Sequence, residues 1–431
     1  MLRALSYRNY RLFFAGQLLS LIGTWISMTA TSWLVYRLTG SAMLLGVVGF
    51  AGQFPGFVMG PFAGTFLDRW DRHRVLVVTQ SVSMLQSFTL ALLTFSGHIT
   101  VPAIVVLNGV QGIVNAFDMP ARQTFLTTMI SDKEGLANAI ALNSSMFNAA
   151  RLIGPSIAAI IIATSGEAWC FLLDGFSYFA VILALLAMTN VRRVDARARS
   201  GGIIEQLLEG WRYVFGFRPI RSLMLLIAWL CLVAVPFSVL LPVFADQVLG
   251  GGPYALGFLM TALGLGAMFG ALWLAARKSV VGLGRVILMN TMIFGTGLIG
   301  FSLSRRLWLS VIFMSIAGFG MMVQMASSNT VIQTIVDDEK RGRVMSFYTM
   351  SFLGTAPFGS LMAGALSSRI GAPHTVMLGG ILCFAAAGWF AQELPAIRRV
   401  VRPIYQRMGI LPEVATGLQT ASNLMTPPEQ K

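Results

Sequence analysis

The stretch Gly64-Thr65-Phe66-Leu67-Asp68-Arg69-Trp70-Asp71-Arg72-His73-Arg74 lies between one apolar run that ends near Leu67 and another that begins at Val75. Two acids and four Arg or His residues in so short a connection cannot rest in hydrocarbon, where polar groups have no water to bind. The stretch is therefore a tight loop at a membrane face, and its basic excess marks that face as cytoplasmic. Asp68 is placed to cap the N–H groups that open the following helix. Gly64 lets a neighbouring helix approach closely. An ordinary cytoplasmic loop that obeys charge bias is the alternative.

The same residues, read as Gly-x-x-x-Asp-Arg-x-x-Arg-x-Arg between a second and a third transmembrane helix, resemble the signature loop of the major facilitator superfamily. Two positions depart from it: Asp71 stands where a second glycine is usual, and His73 where Lys or Arg is usual. The resemblance implies a cytoplasmic gate carried by Gly64, Asp68 and Arg72.

Composition agrees with a membrane chain. Of 431 residues, 56% are hydrophobic and 11% charged, whereas a soluble domain carries about 25% charged residues. The net charge of +14 comes with a strict placement of the basic residues. Of 31 Lys and Arg, 26 fall in segments of one sidedness, including Arg3 to Arg11, Arg69 to Arg74, Arg192 to Arg221 and Arg398 to Lys431. Arg37, Arg305, Arg306 and Arg369 fall on the other side, and Arg151 within a span. The positive-inside rule accounts for this and requires no nucleic-acid partner. Cys170, Cys231 and Cys383 are scattered through apolar runs, which argues against a disulfide framework or a zinc site.

Apolar stretches of about 20 residues or more, enough to cross a bilayer, occupy 11–36, 42–67, 75–95, 101–123, 138–165 and 168–190, then 220–247, 253–276, 282–304, 307–333, 342–369 and 374–394. The simplest organisation is all-α: twelve transmembrane helices in two six-helix bundles, both termini cytoplasmic. The N-terminal bundle spans 1–190 and the C-terminal bundle 220–394. A linker, 191–219, carries an amphipathic helix with Ile203, Leu207, Trp211 and Phe215 on one face. A cytoplasmic tail, 395–431, is expected to end in disorder. The halves echo each other weakly: Gly154-Pro155-Ser156-Ile157-Ala158-Ala159 in the fifth span matches Gly359-Ser360-Leu361-Met362-Ala363-Gly364 in the eleventh. Parallel repeats of this kind place a transport site between the halves.

Tyr7-Arg8-Asn9-Tyr10-Arg11, Gly23-Thr24-Trp25, Asp118-Met119-Pro120-Ala121-Arg122-Gln123 and Asn148 to Pro155 resemble the enterobactin-exporter-like and macrolide-efflux-like branch of the superfamily. That resemblance covers nearly the whole chain. It implies export of a small amphipathic molecule, siderophore- or drug-like, across the cell membrane by proton antiport and alternating access, with no cofactor and most simply as a monomer. An uptake carrier for a metabolite or lysolipid, and a non-transporting receptor or scaffold, are the alternatives.

Other motifs carry little. Gly295-Thr296-Gly297-Leu298-Ile299-Gly300 matches GxGxxG but lies inside an apolar span, where helix packing explains it. His73, His98 and His374 are isolated and make no metal constellation, and no catalytic motif is present. An enzyme is not expected.

Ionisable residues within spans are costly and therefore candidates for function. Arg151 lies roughly 20 Å deep in the fifth span at 1.5 Å per residue, at a depth shared by Asn108 and Gln111 of the fourth. In many superfamily members an arginine opens an Arg-x-x-Gln-Gly pattern; here it reads Asn108-Gly109-Val110-Gln111-Gly112. Arg151 is the candidate to replace that arginine, or else a brace for the fourth span. Asp118, near the cytoplasmic end of the fourth span, is a gate partner for Arg72 or Arg122. Asp174 is the candidate proton carrier, with capping of the sixth span as its alternative. Gly154 and Pro155 are expected to bend the fifth span. Met314, Met321, Met322 and Met325 read as adaptable cavity lining or as lipid-facing packing.

Overall fold

A computed structural model of the chain describes residues 3–67, 70–130, 132–189, 211–277 and 279–407. Those residues are helical, without strands. The helices are α1 (Arg8–Thr39), α2 (Ala42–Leu67), α3 (Arg72–Phe95), α4 (Val101–Met129), α5 (Lys133–Ser165), α6 (Glu167–Leu186), α7 (Arg218–Val233), α8 (Gly252–Ala275), α9 (Leu283–Leu303), α10 (Leu307–Ile335), α11 (Asp338–Leu353), α12 (Ala356–Ile370) and α13 (Ala372–Arg407). Eleven stretches among the described residues are long and apolar enough to cross a membrane.

Two expected spans are broken, and proline is the reason in both. The eleventh stops at Leu353 and restarts at Ala356. Pro357 has no N–H to give the Leu353 carbonyl, so the ladder cannot pass through Gly354 and Thr355. The seventh leaves α-geometry after Val233 and continues through a 3-10 turn, Val235–Leu240, and a π turn, Phe244–Val248. Pro236 and Pro242 each remove a rung from it.

The ends of the helices follow from local chemistry. Asp71 caps α3 by accepting the N–H groups of His73 at 2.9 Å and Arg74 at 3.4 Å. The capping carboxylate is therefore Asp71 and not Asp68, which lies outside the described residues. Asp132 caps α5 through the Gly135 N–H at 2.9 Å. Gly40 closes α1 in the left-handed region at φ 61°, its N–H 2.7 Å from the Tyr36 carbonyl.

Packing is built on small residues, as it must be where lipid competes with every apolar contact. Within the first half α1 packs on α5 and α6, α3 on α4 and α6, and α2 on α4. Within the second, α10 packs on α8 and α9, and α13 on α7, α9 and α12. The GxGxxG glycines serve these contacts: a Cβ on Gly297 would lie 2.6 Å from the Ala317 nitrogen of α10, and one on Gly295 2.8 Å from the Gly380 carbonyl oxygen of α13. Met314 is fully buried in the core, while Met321 and Met325 pack partly buried against it.

Helix α13 continues past Leu394 to Arg407, with Ile397, Val401 and Tyr405 buried at helical spacing. The first part of the 395–431 segment is therefore helical, and its expected disordered end lies outside the described residues. Most of the linker helix lies outside the described residues. Its last turn, 211–216, is helical, with Trp211 stacked on Phe215 at 4.0 Å and against Phe347 of α11 at 6.3 Å.

Candidate functional site

Helices α1, α3 and α5 start at the end of the molecule that is rich in Arg, here the basic end. There Arg3 pairs with Glu134, and the His73 ring lies 2.9 Å from the Leu185 carbonyl. At the opposite, far end Arg37 binds Glu167 in a fork, at 2.7 and 3.1 Å, and Tyr36 donates to Asp246 at 3.1 Å. Glu167 is 5% exposed and heads α6, so its carboxylate meets both a guanidinium and a helix N-terminus.

The main contacts between the sequence halves join α2 to α12 and α5 to α8, and they form a reciprocal pair. On α2, a Cβ at Gly46 would lie 2.6 Å from the Ser360 carbonyl oxygen and 3.1 Å from the Gly364 Cα. Gln53 donates to Ser360 Oγ at 3.3 Å. On α8, a Cβ at Gly257 would lie 2.4 Å from the Ala159 Cβ and 3.1 Å from the Pro155 carbonyl oxygen. The hydroxyls of Ser156 and Thr261 are 2.6 Å apart. The matching small-residue clusters seen in the sequence thus lie at the two main crossings between the halves. Each also packs within its own half: Gly154 against Trp25 of α1, and Gly359 against Leu232 and Pro236 at the α7 break. Helix α5 runs unbroken through Pro155.

Both glycine contacts lie about 6–10 Å from the far end at 1.5 Å per residue. Inward of the first, Phe50, Phe54 and Phe57 of α2 surround Phe358 of α12 at ring-centroid distances of 5.8, 6.2 and 6.4 Å. On the same helix, Gly56, within the span of this cluster, and Gly60, further toward the basic end, face open space. The spacing of the phenylalanines, four and three residues, was the available sequence signal for this cluster.

The gate candidates separate. Asp118 is 1% exposed and accepts from Thr79 Oγ1 and Gln80 Nε2, both at 2.8 Å, and from Arg122. Arg122 is therefore its partner, and Arg72 opens α3. Gly64 lies in the last turn of α2.

Arg151 does not gather with the residues at its depth. Its Nη2 donates to Asn148 Oδ1 at 3.3 Å, one turn back on α5, and its Nε is buried without a partner. Asn108 donates to its own helix at Ile104, 2.9 Å, and lies beside Gly52 of α2. Gln111 donates to Ser83 of α3 at 3.1 Å and to Asn115 at 3.2 Å. Depth fixes height in the bilayer but not which way a helix is turned. Asn108 and Gln111, neighbours three apart on α4, bond to Ile104 and to Ser83 and Asn115, whereas Arg151 bonds to Asn148 on α5.

Asp174 is 2% exposed. Its Oδ2 accepts from Ser87 of α3 at 2.7 Å, while Oδ1 is buried without a partner. A Cβ on Gly23 of α1 would lie 2.9 Å from Oδ1 and 2.4 Å from Ser177 Oγ, so glycine there is what admits this carboxylate. Asp174 stands seven residues after Glu167 and does not cap α6. Beside it α3 presents Thr79, Gln80, Ser83, Gln86 and Ser87, all buried. This polar face links the surroundings of Asp118 to those of Asp174, and its helical spacing was legible in the third span.

A family model described as transmembrane secretion effector matches residues 2–407. The chain belongs to that family of major facilitator transporters. It is accordingly a multi-pass plasma-membrane transport protein rather than an enzyme. The staphyloferrin A transporter of Staphylococcus aureus is 28% identical over 384 residues, covering 88% of this chain and 95% of its own. The multidrug efflux pump Tap of Mycolicibacterium fortuitum is 26% identical, over 88% and 93%. Macrolide efflux protein A of Streptococcus pyogenes is 24% identical, over 88% and 96%. Among solved structures, a POT family transporter in complex with 5-aminolevulinic acid superposes with a TM-score of 0.72 at 10% identity, covering 90% of this chain and 96% of that one. The nucleoside transporter NupG gives 0.64 at 14% identity, over 93% and 99%. Both share the major facilitator fold of this transporter.

Proposed function

We propose that this transporter exports a small amphipathic molecule, siderophore- or drug-like, by proton antiport and alternating access between two six-helix bundles, residues 1–190 and 220–394. The basic end is cytoplasmic and carries both termini, and the protein works as a monomer. The observation that carries the reading is the reciprocal pair of glycine contacts near the far end. Two small-residue crossings, each shared by one helix of either half, form a seal that can part without breaking either bundle. Residues Gly64, Asp68, Arg72, Asp118 and Arg122 form the cytoplasmic gate, with Asp118 bracing α4 against α3 through Thr79 and Gln80 while it pairs with Arg122 one turn on in its own helix. Gly154 and Pro155 act as the hinge of α5. The names of two of the three relatives, an efflux pump and an efflux protein, support export.

Arg151 serves the substrate. A guanidinium at mid-membrane costs about 2.5–3.5 kcal/mol on insertion scales, and its unpartnered Nε leaves donor capacity for carbonyl or anionic oxygens. Asn108 and Gln111 contribute to neighbouring surfaces and not to one cluster with it. Asp174 carries the proton: it is a buried carboxylate with one oxygen hydrogen-bonded and the other open to protonation.

Flux in proteoliposomes under an imposed pH gradient tests the reading. Export-type exchange, with substrate moving against the proton, is the expected result. Co-directional uptake would replace the exporter with an uptake carrier, and absence of flux for every amphiphile tried would favour a receptor or scaffold.

A further inference from the structure

At the basic end of the second half, a cleft of about 370 Å³ opens between α9 and the extension of α13. Its walls are fixed by hydrogen bonds. Arg277 donates to the Ser279 carbonyl at 3.2 Å and the Val281 carbonyl at 2.8 Å, which holds the turn between α8 and α9 in place. On the other side Arg218 of α7 grips Glu393 of α13 through a fork at 2.9 and 3.0 Å, and Ser222 adds a bond at 3.1 Å.

The lining is graded along the membrane normal. Ile287, Phe390 and Leu394 form its deep, apolar part. Arg285, in the first turn of α9, and Arg398 and Arg402, one turn apart on α13, stand at its mouth. All three arginines are exposed, and no acidic side chain lies among the lining residues. The nearest acid on α13, Glu393, is occupied by Arg218. From Phe390 to Arg398 the rise along the helix is roughly 12 Å. A ligand suited to this cleft needs a negative head and an apolar body that points into the membrane.

We propose that the cleft between α9 and α13 binds one anionic phospholipid, with its phosphate on Arg285, Arg398 and Arg402 and an acyl chain against Phe390 and Leu394. Guanidinium groups contact phosphate oxygens in pairs, and basic pockets between membrane helices hold lipid headgroups in this way. The apolar depth selects a lipid over a free anion. The seated lipid ties the extension of α13 to α9. This site is independent of the transported substrate and of Arg151.

Native mass spectrometry of the full chain in detergent, titrated with phosphatidylglycerol and with phosphatidylcholine, tests the assignment. Phosphatidylglycerol should bind on the order of 100-fold more tightly, from about 1 kcal/mol for each of three arginines. The triple variant Arg285→Gln, Arg398→Gln, Arg402→Gln should lose that preference while keeping monodisperse elution and its melting temperature in phosphatidylcholine. The single Arg398→Gln variant, which leaves two charges in place, should lose roughly five-fold and guards against misfolding of the triple. Equal preference in the wild-type and the variants would overturn the proposal. So would displacement of the lipid by inorganic phosphate or by the deacylated headgroup, which would assign a free-anion site instead.

Discussion

Gly46 of α2 and Gly364 of α12 face each other so closely that a Cβ on Gly364 would lie 2.8 Å from the Ala42 carbonyl oxygen and 3.1 Å from the Gly46 Cα. No other residue type fits at this crossing without moving a helix. Gly46→Val should therefore weaken closure of the far end by about 1–3 kcal/mol, the usual cost of overpacking. Spin labels at Ser41 and Ser368, read by double electron–electron resonance, should show a longer mean distance. Gly56→Val, into open space, should leave the distribution where it was. An unchanged distribution in the Gly46 variant would refute the seal.

Asp118→Asn leaves the Arg122 guanidinium without its counter-charge. Breaking a buried pair costs about 3–5 kcal/mol, and the cost here should fall toward the lower limit because the Arg122 side chain is 22% exposed. The melting temperature should drop, and Arg122→Gln combined with Asp118→Asn should lose less than the sum of the single changes. Strict additivity in that double-mutant cycle would show that the two residues are not coupled.

Arg151→Lys keeps the charge but loses the planar fork, and Arg151→Met removes both. Transport per folded molecule should decline in both, by roughly tenfold or more in the methionine variant if one charge-assisted hydrogen bond to substrate is lost. Flux normalised to monodisperse protein measures it. Near-normal flux in Arg151→Met would reduce the residue to a structural brace.

Asp174→Asn preserves shape and removes the titrating group. Substrate counterflow, which needs no net proton movement, should persist, while acceleration by a pH gradient should vanish. Gly23→Ala pushes a methyl group toward Asp174 Oδ1 and should impair both. Gradient-driven flux at the wild-type level in Asp174→Asn would exclude this carboxylate as the carrier.

Asp132 lies outside the spans and receives the Tyr7 hydroxyl, the Gly135 N–H at 2.9 Å and the charge of Arg3 at 3.5 Å. The Tyr7 hydrogen bond, then that of Gly135, holds its carboxyl below the ordinary carboxylate range. A depressed acid contributes stability above its unfolded pKa and loses it as pH falls through the folded value. Docking of the Arg3–Ser6 turn on α5 should thus hold at neutral pH and loosen only below about pH 4. Hydrogen exchange of residues 4–11 across that range checks it, and Tyr7→Phe should move the release to higher pH.

The sequence by itself determined the class, the height of each helix in the bilayer and the end of the molecule to which the charges belong. Those features depend on run length, hydropathy and the cost of polar groups in lipid, all of which are local. It also revealed the two small-residue clusters, Gly154 to Ala159 and Gly359 to Gly364, because a repeat is visible without coordinates. Only the tertiary structure decided what they touch, since a glycine's use depends on the helix that comes up against it. The same holds for the charges: Asp118 with Arg122 was one of two pairings the sequence allowed. Arg151 shares a depth with Asn108 and Gln111 yet does not bond to them, because the rotation of α5 relative to α4 is not fixed by spacing along either helix. The polar face of α3 and the phenylalanines of α2 follow helical periods that a sequence displays. Their partners, Asp174 and Phe358, lie 87 and about 300 positions along the chain, and packing alone brought them together.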